Sequence, residues 1–308
     1  MNNRIVTLIP SATEIVCTLG LEGQLVGRSH ECDFPFSITH LPICTEPKFD
    51  VNGTSQEIDA RVQNLLKDSL SVYRVFPETL KELQPDVIVT QTQCDVCAVS
   101  LQDVERALDD WLGTKPSLVS LQTTDLAGVW TDIRSVAKAL DQESHAETVL
   151  NALQARMTTI ADVTKTLTNP PKVACIEWMD PLMAAGNWVP ELVHMAGGTN
   201  IFGEAGKHAP WLTWDALEEG DPDIILILPC GFSIPQIHEH LSTLTSNPVW
   251  NQLQAVKLGQ VYATDGNQYF NRPGPRLVES LEIMAEIFHP HTFTGNHQGS
   301  GWVSVQPE

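Results

Sequence analysis

Arg4-Ile-Val-Thr-Leu-Ile-Pro-Ser-Ala-Thr-Glu-Ile-Val16 opens the chain and decides how the rest is read. Ile5–Ile9 is a short apolar run, the signature of a parallel strand buried on both faces. Ser11 is a good helix N-cap, and Glu14 three residues on completes a capping box. The predicted helix ends at Gly20, a natural residue just past a helix C-terminus. With a second strand at Leu25–Gly27 this makes a βαβ start. Further strands are predicted at Pro85–Gln91 and Ser117–Leu121, with helices at Ser55–Leu70, Pro77–Leu83 and Leu101–Leu112. That alternation specifies α/β architecture with a mostly parallel sheet.

From Asp125 to Leu167 the pattern changes. No strand signal appears, and apolar residues follow helical spacing in two series that break near Asp141–Ser144. Ala146–Leu167 contains neither Pro nor Gly and reads as one long helix, closed by Pro170-Pro171. Alternation then resumes with strands at Lys172–Glu177, Asp223–Leu228 and Val261–Ala263. Helices are predicted at Pro190–Ala196, Gln236–Leu244 and Pro275–Phe288. The expected division is an N-terminal α/β lobe over 1–124, a helical segment over 125–168, a C-terminal α/β lobe over 169–290 and a surface tail over 291–308.

The 308 residues are 42% hydrophobic, enough for two cores. A net charge of −20 argues against nucleic acid and anionic membrane surfaces as partners. No apolar stretch reaches the length of a membrane span. Seven cysteines, scattered except for Cys94 and Cys97, do not make a disulfide framework. With no leader visible, these features place the chain in the cytoplasm, or in the periplasm or at the cell surface if a leader is missing from it.

Three groups of residues carry chemistry. His30-Glu-Cys-Asp-Phe-Pro35 follows the second strand, and Gln91-Thr-Gln-Cys-Asp-Val-Cys97 follows another. Ligands gather beyond the carboxyl ends of parallel strands. His30, Cys32, Cys94 and Cys97 together make a Cys₃His set suited to zinc, with iron as the other metal; the bland reading is that the cysteines are small buried residues. The third group is aromatic: Trp178, Trp188, Trp211, Trp214, Tyr269 and Phe270 crowd the second half. Flat faces with a few polar anchors suit a large, partly apolar ligand, although Trp214 reads as core. No glycine elbow, phosphate loop or dinucleotide fingerprint is present, so the chain reads as a binder and not an enzyme.

The opening strand and Pro10-Ser11 helix, Ser29-His30 with Asp33-Phe34-Pro35, Leu83-Gln-Pro-Asp86, Gly197-Gly-Thr-Asn200 with Pro210-Trp211, and Tyr269-Phe-Asn-Arg272 run from Arg4 to Pro290. In these motifs the chain resembles the helical-backbone class of periplasmic-binding-protein-like substrate receptors for ABC importers, nearest to the cobalamin-binding ones. The resemblance implies two Rossmann-like lobes joined by one long helix, with a ligand cleft between them. It implies a small-molecule ligand, cobalamin or a related corrinoid, lined by Phe34, Met183, Trp211 and Arg272. Trp178, Trp188, His208, Gln268 and Tyr269 complete the candidate ligand set. It also implies a monomer that docks on a permease through one acidic residue per lobe, at Glu78 and Asp215. The Cys-rich loops depart from that pattern. They keep open a receptor for metal, iron chelate or haem, and an enzyme with Cys32 or Cys94 as nucleophile beside His30.

Overall fold

A computed structural model describes residues 3–68, 72–92, 101–108 and 115–305. The chain forms two compact α/β units. The first takes in Met1–Gly53, Glu57–Thr123 and Ala127–Ala152, and the second Thr54–Gln56, Thr124–Leu126 and Leu153–Glu308.

In unit 1, β1 (Ile5–Thr7), α1 (Pro10–Thr18) and β2 (Leu25–Arg28) form the expected βαβ start. They are followed by β3 (Thr45–Pro47), α2 (Ser55–Asp68), β4 (Tyr73–Val75), α3 (Pro77–Leu83), β5 (Val87–Gln91), α4 (Leu101–Ala107), β6 (Ser117–Leu121) and α5 (Leu126–Ala139). The sheet has the order β2-β1-β5-β6 and every pairing is parallel. β5 is buried along its whole length, as a strand covered on both faces must be. β3 and β4 pair separately as an antiparallel ribbon.

The first helix starts differently from the sequence reading. Ile9 is its N-cap and no side chain caps it. Pro10 takes the first helical position, where its fixed φ suits the turn and its missing N–H is no loss. Ser11 therefore lies inside the helix, fully buried, and its hydroxyl finds no hydrogen-bond partner among the described residues.

α6 (Glu143–Thr164) is the long helix, 22 residues without interruption, and the division between the units falls within it. Asp141, with φ +54°, makes the break that separates it from α5.

Unit 2 contains β7 (Lys172–Met179), β8 (Leu182–Ala184), α7 (Val189–Met195), β9 (Thr199–Asn200), α8 (Trp214–Gly220), β10 (Ile224–Ile227), α9 (Ile234–His240), α10 (Ser242–Thr245), α11 (Gln254–Lys257), β11 (Val261–Thr264), α12 (Leu277–Phe288) and β12 (Trp302–Ser304). The sheet runs β12-β11-β10-β7-β8, with β9 also on β7. β11, β10, β7 and β9 are parallel; β12 and β8 are antiparallel edges.

The segment after Pro290 is exposed at first but does not end as a surface tail. β12 adds a strand to β11, and Trp302 and Val305 are buried. Sequence pattern missed this because three residues carry no legible period. Among the described residues no helix is long and apolar enough to cross a membrane.

Candidate functional site

Unit 2 places its candidate residues at the carboxyl ends of its parallel strands. Trp178 near the end of β7 lies directly opposite Met183 of β8, and Met183 lies opposite Trp211 in an antiparallel bridge. Directly paired residues of antiparallel strands project from the same face. Trp178, Met183 and Trp211 therefore form one row, half-buried at the first two positions and 61% exposed at Trp211. The row continues through Phe232, whose ring meets that of Trp178 edge-on at 5.5 Å. Phe232 O accepts the Asn267 N–H at 3.1 Å, and the Asn267 side chain accepts from Arg272 at 3.1 Å. The apolar row thus leads, through the buried Phe232, to a buried guanidinium.

Two buried polar groups belong to the strand that carries this row. The shielded Trp178 indole N–H has no hydrogen-bond partner among the described residues. Glu177 is the extra residue of a bulge in the β7–β8 pairing. Bulges re-aim a side chain, and they recur beside functional sites. Burial pushes the Glu177 carboxyl up to about 7, against the opposing pull of the Gly186 N–H. A rise of this size favours the neutral carboxyl, which can donate as well as accept. The sequence reading ended its strand at Glu177 and so missed it; Phe232 and Asn267 were missed because only packing brings them to the row.

The remaining candidates divide. His208 is exposed in the loop before Trp211, with Nδ1 3.0 Å from Ala209 O. Gln268 and Tyr269 belong to the support of the turn: the Arg276 guanidinium lies 4.5 Å over the Tyr269 ring and donates to Gln268 Oε1 at 3.2 Å. Trp188 is 5% exposed, and its indole N–H donates to Phe270 O at 2.6 Å. It is a buried strut beneath the turn and not an open ligand wall.

That turn is held against strain. Phe270 has φ +64°, an unusual conformation for a bulky residue. Its N–H donates to Ser280 Oγ, its carbonyl accepts from Trp188, and Asn271 Nδ2 donates to Leu228 O and Gly266 O. Gly266 closes the approach, since a Cβ there would lie 2.2 Å from Pro229 O and 2.9 Å from Leu228 C. Gly266→Ala should lift the turn and destabilise unit 2 by about 1–3 kcal/mol through overpacking. A denaturant midpoint identical to wild type would show that the turn has room to spare.

In unit 1 the loop after β2 is tied down by Arg28, which donates to Ser29 O, Cys32 O and Thr39 O. His30 is half-buried; burial first, then the Arg28 charge, holds its imidazole down to about 4. Cys32 is fully buried and accepts from Thr13 Oγ1 at 3.0 Å. Cys94 and Cys97 lie outside the described residues, so half of the proposed metal set cannot be placed. Among the described residues no three His, Cys, Asp or Glu side chains gather to hold an ion. Phe34 is 41% exposed. Glu78 and Asp215 are exposed in the first turns of α3 and α8, and Glu78 pairs with Lys81 at 3.0 Å.

A family model described as "Periplasmic binding protein" matches residues 5–268. An ABC transporter substrate-binding lipoprotein of Bacillus subtilis, itself uncharacterised, is 22% identical over 94% of this chain and 81% of its own length. A protein of Halobacterium salinarum named cobalamin-binding protein is 22% identical over 94% of this chain and 70% of its own. Among solved structures, a periplasmic haem-binding protein from Roseiflexus in apo form superposes with a TM-score of 0.69 at 20% identity, covering 94% of this chain and 98% of that one. The cytoplasmic location expected from the missing leader is overturned by these matches, which indicate a periplasmic or lipoprotein receptor outside the cytoplasm. Where a sequence begins does not report where its protein works.

Proposed function

Because the chain belongs to the periplasmic binding protein family, and is a solute-binding protein of ABC transport and not an enzyme, we propose that its solute is cobalamin or a related corrinoid. The observation that carries this reading is the Trp178–Met183–Trp211 row. A largely apolar row of this kind suits one face of a macrocycle, and aromatic side chains supply the contact area at small entropic cost. The polar group beside it favours an amide-fringed ring. Glu177 would be satisfied by an amide that both donates and accepts. Relatives named for cobalamin support the same solute. Haem is the second reading, since the row itself would take any flat ring.

The family's role implies a permease partner, and Glu78 and Asp215 are our candidates for docking it, being exposed acids on short surface helices. Calorimetric titration with cyanocobalamin, with haemin as the comparison, tests the solute. Binding of cyanocobalamin well ahead of haemin is expected; the reverse order would replace the corrinoid with haem. Trp211→Ala should weaken binding by about 1–3 kcal/mol through lost apolar contact. Trp211 is mostly exposed, so the fold should survive. Unchanged affinity in the same titration would remove Trp211 from the site.

A further inference from the structure

Glu177 reaches from β7 to the loop after β8, where its carboxyl accepts from the Gly186 N–H. That loop is the seat of the segment that carries Trp211. The Asn187 N–H donates to Lys207 O at 2.6 Å, and the Gly206 N–H donates to Asn187 O at 3.0 Å. Farther along, the Ala184 N–H donates to Pro210 O at 3.0 Å and the Leu212 N–H to Leu182 O at 2.8 Å. At Gly186 the two pieces of chain lie too close for any side chain: a Cβ would stand 2.5 Å from Lys207 O and 2.6 Å from Ala209 N. The place of Trp211 in the row therefore depends on the Gly186 peptide, and Glu177 holds that peptide from β7.

No cation offsets the burial of this carboxyl; only the Gly186 N–H opposes its rise. The titratable neighbours along β7 are Cys175, whose thiol is pushed up by burial first and by Glu177 second, and Asp180 just beyond the strand. Cys230, an exposed residue after β10, donates its backbone N–H to Glu177 O at 3.3 Å. On the Trp211 segment, Lys207 pairs with Glu204 at 2.6 Å, and His208 Nδ1 lies 3.0 Å from Ala209 O. Residues 182–187, β9 and β10 carry no titratable group. A neutral carboxyl is at ease there with one donor. Ionisation tightens the bond from Gly186 but leaves a charge out of water with that single donor, and burying a charge costs more than one hydrogen bond returns. Water can reach the charge only if the loop lifts.

We propose that Glu177 is a proton-operated positioning residue: neutral, it pins the Gly186 peptide and keeps Trp211 in the aromatic row, and ionised, it releases both. The movement of Trp211 stands on unit 2 alone; its effect on solute affinity rests on the row being the solute site, as read above. The carboxyl is raised from an ordinary 4.5 to about 7. The hold is therefore complete below the ordinary value and is lost as pH rises through about 7.

Intrinsic fluorescence, taken as the difference between wild type and Trp211→Phe, isolates Trp211 and needs no solute. Between about pH 5 and about pH 8.5, on either side of the Glu177 value of about 7, this difference should move to longer wavelength as Trp211 comes free. The same pair of proteins carrying Glu177→Gln, a neutral acceptor for the Gly186 N–H, should keep the acidic signal at every pH. Glu177→Leu, which removes the acceptor, should give the alkaline signal at every pH. Thermal melts of the variants guard against a fold defect. Calorimetric titration with cyanocobalamin should show wild-type affinity falling by up to about tenfold per pH unit above neutrality, and no such fall in Glu177→Gln. A Trp211 signal that stays constant with pH in wild type would overturn the proposal. So would a change that persists in Glu177→Gln, by assigning it to another group, or Glu177→Leu behaving as Glu177→Gln. If the fluorescence behaves as expected while cyanocobalamin binds at no pH, the positioning role stands and the corrinoid falls.

Discussion

Trp188→Ala should destabilise unit 2 by about 3–5 kcal/mol, the range for emptying a buried tryptophan site. The side chain is 5% exposed and holds the Phe270 carbonyl at 2.6 Å. Its loss opens a cavity and releases one of the bonds that keep Phe270 at φ +64°. Trp188→Phe separates the two effects. It keeps one aromatic ring and most of the apolar volume while removing the N–H, so about 1–3 kcal/mol should go, the usual loss when one buried hydrogen-bond partner is left unmet. Guanidinium unfolding followed by circular dichroism measures both. Ligand affinity should fall in both variants through displacement of Arg272 and not through lost contact with Trp188. If Trp188→Ala weakens binding while leaving the unfolding transition in place, the side chain lines the site after all.

Glu286→Ala should cost on the order of 3–5 kcal/mol, because one carboxylate fastens the C-terminal strand to α12 and bonds to a charged group are worth about 1.5–3 kcal/mol each. Glu286 accepts from Asn296 N, His297 N, His297 Nδ1 and Trp302 Nε1. Burial on its own would raise this carboxyl; the bonds from Trp302 and His297 outweigh it and hold it below its ordinary value. A depressed acid contributes stability that is complete above its unfolded pKa and is lost as pH falls through the folded one. The wild-type transition should therefore weaken on acidification below the usual glutamate range. Glu286→Gln should begin weaker at neutral pH and lose less. Parallel acid profiles for the two proteins would assign the pH dependence to other carboxyls.

Most of the fold was legible because burial on both faces leaves a local mark. β10 is a continuous apolar run and β5 opens with one, Val87-Ile-Val89, and their positions follow from that. The long α6 was legible from helical spacing and from the absence of Pro and Gly. Short elements were not. β12 is three residues long, α9 and α10 divide a stretch that reads as one helix, and Pro10 displaced Ser11 from the cap that local pattern gave it.

Of the site, the sequence by itself determined the residue types and the strand ends that carry them: an aromatic second half, a His-Glu-Cys-Asp loop and a turn bearing Arg272. These follow from composition and periodicity, which are local. Only the tertiary structure decided which aromatics stand in one row, and that Trp188 turns inward while Trp211 stays open. It alone placed Glu177 in a bulge and set the His30 ring against Thr45. Register and hydrogen bonding join residues far apart along the chain, and a one-residue change of register reverses the face on which a side chain lies, so no local pattern can specify them.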